Sequence, residues 1–201
     1  MQNDPLFEAV YNPGILAALE QQFGPVELHR RQIYATTAAL LRQITKMAEG
    51  EFPRRGEVVM VVPDEAGRVW LHTKQPYPAG VYRLLSGGVN THESPVAAAR
   101  REALEETGFN VEVTRCLGVV LYELSGVGCP SMPFASYLFL TTPTSGQPQP
   151  TDPGEAIAGF RAVPPAELAD VAQHLRSING DFMDWGVFRA TAHDIVAAKL
   201  G

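Results

Sequence analysis

The chain is short of cysteine, of positive charge and of long apolar runs. Its two cysteines, Cys116 and Cys129, lack CxxC spacing and are too few for a disulfide framework. The expected compartment is therefore a reducing cytoplasm. No stretch approaches the roughly 20 apolar residues of a membrane-spanning helix. The N-terminal MQNDPLFEAV lacks the charged-then-apolar profile of a signal peptide. Lysine and arginine number 16 against 22 aspartates and glutamates, giving a formal net charge of −6 with no basic run. That argues against a protein that grips duplex nucleic acid by neutralising its phosphates. It leaves room for a small nucleotide whose charge a metal offsets. Five scattered histidines do not suggest an imidazole-rich metal site. There is no internal repeat and no low-complexity tail.

What the chain does have is 45% hydrophobic and 19% charged residues over 201 positions, the balance of a globular protein with one sizeable core, or a domain plus an extension. Its most informative stretch is GGVNTHESPVAAARREALEETGF, residues 87–109. Ser94 suits an N-cap, Pro95 the first helical position and Gly108 the residue past the helix end. Between them lie good helix formers. Glu102, Glu105 and Glu106 fall at i, i+3 and i+4, on one helix face with Cβ atoms roughly 5–6 Å apart. Such neighbours repel, and the C-terminal end of a helix disfavours anions. A cluster of this kind suits a hard divalent cation such as Mg²⁺, Mn²⁺ or Ca²⁺. Val96, Ala99, Ala103 and Thr107 form the face expected to pack inward, and Arg101 stands four residues before Glu105.

The stretch resembles the Nudix box, Gly-x5-Glu-x7-Arg-Glu-U-x-Glu-Glu-x-Gly-U with U apolar. Gly87, Glu93, Arg101, Glu102, Ala103, Glu105, Glu106, Gly108 and Phe109 fill its constrained positions. Two departures stand out. Many relatives have Pro-Gly-Gly before the box and glycine before its first glutamate, where this chain has Ser86-Gly87-Gly88 and His92-Glu93. The resemblance implies an α/β fold, a mixed sheet sandwiched between helices, with extra N-terminal and C-terminal helices here. It implies a Mg²⁺-dependent hydrolase (Mn²⁺ as substitute) that cleaves a pyrophosphate linkage in a nucleoside diphosphate joined to another group. Glu105 and Glu106 would hold metal, Glu102 would be a ligand or the general base, and Gly87 would offer a backbone carbonyl. Arg101 would position the carboxylates. A further carboxylate often comes from a downstream loop, and Glu155 is placed better than Asp152. Lys74, at a strand end, is a candidate for a substrate phosphate. The competing reading is a non-catalytic Nudix domain that binds a nucleotide as a sensor or scaffold, which losses in the box would favour. An isomerase of isoprenoid diphosphates would need a catalytic cysteine and a histidine-rich site. The proline that many ADP-ribose hydrolases carry downstream of the box is absent from Val119–Ser125.

Around the box, residues 1–52 read as a helical extension, 53–176 as the Nudix domain and 177–201 as a C-terminal helix packed on the core, on the extension or at a homodimer interface. In the first part, Asn12-Pro13 would open one helix that Gly24 stops, and a second would run over 27–48 with Ile33, Thr37, Leu40, Leu41 and Ile44 as its stripe. Strands are expected at 57–62, 68–73, 81–85, 111–113, 117–124, 134–141 and 160–163, with a bulge near Arg115 and loops at 125–133 and 143–154. The last helix, 181–200, would bury Trp185, Phe188, Ala192, Ile195 and Val196 and expose Arg189 and His193. Tyr77, Tyr82 and Phe134 are candidates for stacking on a base.

Overall fold

The computed structural model describes residues 13–48 and 56–201. The expected cap Asn12 and the expected boundary near residue 52 lie outside them. The elements in chain order are α1 (Pro13–Phe23), β1 (Leu28–Ala35), α2 (Ala38–Ala48), β2 (Gly56–Val61), β3 (Val69–Lys74), β4 (Arg83–Gly88), α3 (Pro95–Thr107), β5 (Val113–Gly126), β6 (Cys129–Thr141), β7 (Ile157–Val163), α4 (Leu168–Arg176) and α5 (Met183–Leu200). The strands form one mixed sheet in the order β1-β5-β6-β2-β4-β3-β7. The β1–β5 and β2–β6 pairs are parallel and the rest antiparallel.

Side chains alternate across this sheet and so build two cores. Val59, Val61, Leu71, Leu84, Val120, Tyr122 and Phe134 pack with α2, α4 and α5. Val58, Met60, Trp70, Leu85, Leu121 and Phe139 pack with α1 and α3. The central strand β2 is buried at every position. The expected mixed sheet between helices, with added terminal helices, is therefore what forms.

Two expectations need correction. The single helix over 27–48 is instead a strand, a short turn and a helix. β5 is long enough to leave an open edge, and Leu28–Ala35 pairs along it from Val119 to Gly126. The local pattern of 28–35 is mixed, and a non-local ladder decides it. The supposed loop at 125–133 is a hairpin, with β5 and β6 joined through Val127 and Gly128, the latter at φ 74°. Pro130 and Pro133 are tolerated there because β2 pairs only with Ala135–Leu140, so these prolines have a ladder neighbour on one side alone. The bulge near Arg115 is present as register shifts between Val113 and Gly118.

β4 changes partner along its length. Arg83 and Leu84 face His72 and Leu71 of β3, whereas Leu85–Gly88 face Met60–Glu57 of β2. The strand thus carries side chains from both ladders to one cleft.

Candidate active site

α3 forms as its end signals demand. Ser94 Oγ accepts from Ala97 N at 3.2 Å, Pro95 opens the helix, and Gly108 closes it at φ 73°. Ala99, Ala103 and Thr107 are buried as expected, whereas Val96 is only partly buried. The buried face also takes in Glu102 and Glu106, so two carboxylates leave water along with the alanines. The last turn is held by the 143–154 loop. Gln149 N donates to Thr107 O at 2.8 Å, Thr151 N to Glu105 O at 3.0 Å, and Thr151 Oγ to Leu104 O at 2.9 Å. Carbonyls that a helix end leaves unpaired are thereby satisfied, and the backbone carrying Glu105 and Glu106 is fixed.

Arg101 organises the acids on one side. Its Nε and Nη2 donate to the two oxygens of Glu93 at 2.9 and 2.8 Å. Nη1 donates to both Glu102 Oε1 and Glu105 Oε2 at 2.8 Å, and Nη2 also reaches Gly88 O at 2.8 Å. This fork holds the Glu93 carboxyl below the usual carboxylate range. Burial pushes the Glu102 carboxyl up, against the opposing pull of Arg101. Gly87 lies directly beneath Glu102, and a Cβ there would fall 1.8 Å from Glu102 Cδ. His92, where relatives have glycine, adopts the left-handed conformation at φ 66°, which accounts for glycine at that position of the box.

On the other side stand Glu106, Lys74 and Glu155. Glu106 is fully buried, and burial raises its carboxyl to about 7 despite the charges of Lys74 and Arg83. Lys74 Nζ lies 3.0 Å from Glu106 Oε1 and also pairs with Glu155 Oε2. That approach to Glu106 lacks hydrogen-bond geometry, so both its oxygens remain without a donor among the described residues. His72, buried beside it with Nδ1 3.5 Å away, is driven well below its ordinary pKa by burial and by Arg83 and Lys74, and is neutral. Asp152 does not face this group; its Oδ1 accepts from Gly154 N at 2.7 Å and caps a short turn.

These groups border a cleft of about 460 Å³ that Glu102, Gly87, Lys74 and Glu155 line. The same cleft is also lined by Glu57, Arg83, Ser86 and Arg189, with Gln43, Lys46 and Met47 of α2 and Phe134 of β6. A family model of the NUDIX domain matches residues 53–186. The chain belongs to the Nudix family. No curated protein matches it. Among solved structures it is similar to the MutT protein of Methanosarcina mazei, at 16% identity and TM-score 0.45 over 73% of this chain and 99% of that one. It is also similar to the E. coli dihydroneopterin triphosphate pyrophosphohydrolase, at 16% and 0.48 over 70% and 94%. The C. elegans Ap4A hydrolase gives 16% and 0.48 over 72% and 96%. None of these likenesses bears on the substrate.

The structure brings the expected residues into two adjoining groups, Arg101 with Glu102, Glu105 and Gly87, and Lys74 with Glu106 and Glu155. Lys74 does not lie on the open surface: its side chain is 16% exposed and paired with two glutamates. Arg189 and His193, expected on the surface, are buried. Arg189 Nη1 donates to Glu57 Oε2 at 2.7 Å. His193 Nε2 accepts from Leu84 N at 2.9 Å and Nδ1 lies 2.9 Å from Arg189 O. These partners fix a neutral ring with its proton on Nδ1, and burial lowers its pKa to about 3. The spacing contained the signal: Trp185, Phe188, Arg189, Ala192, His193 and Val196 follow i, i+3, i+4, i+7, i+8 and i+11, one stripe of α5. Glu57, Arg83 and Ser86 were not expected in the site either. A charged residue opening the otherwise apolar run of β2 is the clue to Glu57. Of the aromatic candidates, Phe134 lines the cleft, Tyr77 packs on Trp185, and Tyr82 lies under Arg161.

The donor set fits a hard divalent cation. Its side chains are all carboxylates, and Glu106 offers two buried oxygens that among the described residues only the Lys74 ammonium approaches as a cation. Among the described residues no three such side chains form a ready metal cage. The cause is visible: Arg101 ties Glu102 and Glu105 to one side, and Lys74 ties Glu106 to Glu155 on the other. Both cations now supply the countercharge that a metal ion would take over.

Proposed function

We propose that this Nudix protein is a Mg²⁺-dependent hydrolase of a pyrophosphate linkage in a nucleotide-type substrate. Family membership supports a general Nudix-type activity. The observation that carries the reading is one cleft lined by Gly87 and Glu102 of an intact box, with Glu105 tied to Glu102 through Arg101 and Glu106 tied to the lining Lys74, and lined as well by the cations Arg83 and Arg189. A pyrophosphate resists attack because its own charge repels the nucleophile. Glu102, Glu105, Glu106 and Glu155 would hold Mg²⁺, which neutralises that charge and polarises the phosphorus–oxygen bonds.

The chain's own residues have distinct tasks. Arg101 keeps Glu102 and Glu105 oriented toward the cleft. Glu102 reaches the cleft over Gly87, and its burial makes it a better proton acceptor than a solvated carboxylate, which suits it to take a proton from attacking water. Lys74, released from Glu106 and Glu155, would meet a phosphate oxygen. Phe134 gives the cleft an apolar wall for the organic part of the substrate.

The test is a hydrolysis screen with Mg²⁺ across nucleoside triphosphates, nucleotide sugars, dinucleoside polyphosphates and coenzyme A. We expect one class to be cleaved at a phosphoanhydride, with turnover largely lost in Glu102→Gln. Nucleotide binding without turnover of any class would favour the sensor reading and overturn this one.

A further inference from the structure

In the cleft that the box lines, two buried guanidinium groups meet at the Ser86 hydroxyl, and one of them is paired with Glu57. Arg83 is 4% exposed and the Arg189 side chain 10%. Arg83 donates through Nε to the Tyr77 hydroxyl at 2.9 Å, and through Nη1 to Leu84 O at 2.8 Å and Ser86 Oγ at 2.7 Å. Arg189 Nη1 donates to Glu57 Oε2 and reaches Ser86 Oγ at 3.4 Å, while its buried Nε has no partner among the described residues. The remaining Glu57 oxygen accepts from Ser136 Oγ at 2.8 Å. Aromatic rings back both cations: the Arg83 guanidinium carbon sits 5.5 Å from the Tyr77 ring centre and that of Arg189 4.8 Å from Phe188. His193 is neutral and donates its Nδ1 proton to the Arg189 carbonyl, so it adds no charge and fixes the backbone beneath Arg189.

Arg189 is thus neutralised by Glu57, whereas every hydrogen-bond partner of Arg83 is uncharged and its carboxylate neighbour Glu106 is already paired with Lys74. Burying a guanidinium is costly unless it is paired, and a buried N–H without a partner costs more than a bond foregone in water. A cluster built only for stability would give Arg83 a carboxylate in hydrogen-bond contact. Ser86 and the Tyr77 hydroxyl take that place instead. Ser86 adjoins Gly87, which packs on Glu102, so the cationic group borders the box. Lys46 of α2 lines the same cleft.

The geometry points to Arg83 and Arg189 as a phosphoryl-binding subsite that receives an anionic group of the substrate beyond the linkage cleaved. Planar guanidinium forks match phosphate oxygens, and their burial makes each charged hydrogen bond count for more than it would on the surface. The substrate class this selects is one with an additional phosphoryl group, such as a nucleoside triphosphate, over one whose distal group is neutral, such as a nucleotide sugar. The assignment rests on the hydrolase reading only for what the bound phosphoryl belongs to.

The experiment has a metal-free arm and a turnover arm. In chelator at low ionic strength, calorimetric titration with inorganic pyrophosphate should show binding to the intact chain. Arg83→Gln should weaken it about tenfold or more, the usual size of a lost charge-assisted bond. Glu57→Gln should tighten it, because it removes the competing carboxylate while keeping the bond to Ser136. The double substitution Glu57→Gln with Arg189→Gln removes both members of the ion pair together, so neither is left without the other. It should fold, as thermal melting will show, and bind as weakly as Arg83→Gln. Absence of pyrophosphate binding to the intact chain, or unchanged affinity in Arg83→Gln, overturns the subsite. So does weaker binding in Glu57→Gln. In the turnover arm, the ratio of kcat/KM for a nucleoside triphosphate to that for the matching diphosphate should fall about tenfold in the double variant. An unchanged ratio overturns the substrate assignment. If the metal-free arm behaves as expected and no compound is hydrolysed, the hydrolase reading fails and the subsite stands.

Discussion

Replacing Glu106 by glutamine tests the energetics of the site without any substrate. The carboxyl is fully buried, and burial raises it from an ordinary 4.5 to about 7. At ~1.4 kcal/mol per pH unit, that rise corresponds to about 3 kcal/mol between the protonated and ionised folded states. The folded chain keeps its proton between these two values while the unfolded chain has lost it. Stability from this group is therefore fully present below pH 4.5, declines as pH rises, and is gone above 7. Glutamine resembles the protonated acid in shape and does not ionise. Metal-free Glu106→Gln should match the intact chain at pH 4.5 and exceed it by about 3 kcal/mol at pH 8. For a chain of this size that is a melting-temperature gain of about 6–12 °C. His193, whose lowered value shifts stability in the opposite direction, is common to both proteins, and His72, 3.5 Å from Glu106, is held neutral well below its ordinary value, so the difference near neutral pH reports Glu106. The assay is urea unfolding in chelator at several pH values. Adding Mg²⁺ at pH 8 should reverse the order, because only the carboxylate gains from metal binding. Parallel pH profiles for the two proteins in chelator would refute the account of a buried, poorly compensated anion.

Three further outcomes follow from the same geometry. Gly87→Ala should displace Glu102, since its Cβ would meet that side chain at 1.8 Å; we expect a loss in kcat of about 100-fold in a folded protein, read by turnover alongside circular dichroism. His92→Gly should relieve a left-handed backbone costing about 1–2 kcal/mol, less about 0.5–1 kcal/mol for glycine's freedom in the unfolded chain, a small net gain to be read by thermal melting. Asp184→Ala removes the acceptor of Thr36 N at 2.6 Å and Thr37 N at 2.7 Å, and should cost about 1–2 kcal/mol in denaturant unfolding.

The box helix was legible in the sequence because its signals are local. Ser94, Pro95 and Gly108 declare the ends, and the glutamate spacing declares a face. β1 was not legible, because what makes Leu28–Ala35 a strand is the open edge of β5, about ninety residues away in the chain, with Gln32 bonded to Glu123 across it. A helical reading of Ile33, Leu40 and Ile44 joined residues that sit on two separate elements. Glu155 was legible as the carboxylate following a polar loop. That the loop itself caps α3 was not, since the caps are backbone groups of Gln149 and Thr151 that any residues can provide. The cationic group was the largest omission. Long charged side chains are mostly exposed, and only the stripe position of Arg189 and the placement of Glu57 at the head of an apolar strand argued otherwise.

The pairing of Glu57 with Arg189 has a consequence for the order in which the molecule assembles. It joins residues 132 positions apart, and the Asp184 latch onto Thr36 spans 148. Closing loops of that size costs chain entropy before the contact exists, so such contacts form late. The box helix and the sheet, which carries Glu57, Arg83 and Ser86, can assemble while Arg189 is still missing from the cleft. Completion of the cleft then becomes a final docking step by α5, and undocking becomes the first step of its loss. During gentle heating, substrate recognition should fade while the sheet remains intact, so that inactivation reports the release of one helix before it reports unfolding.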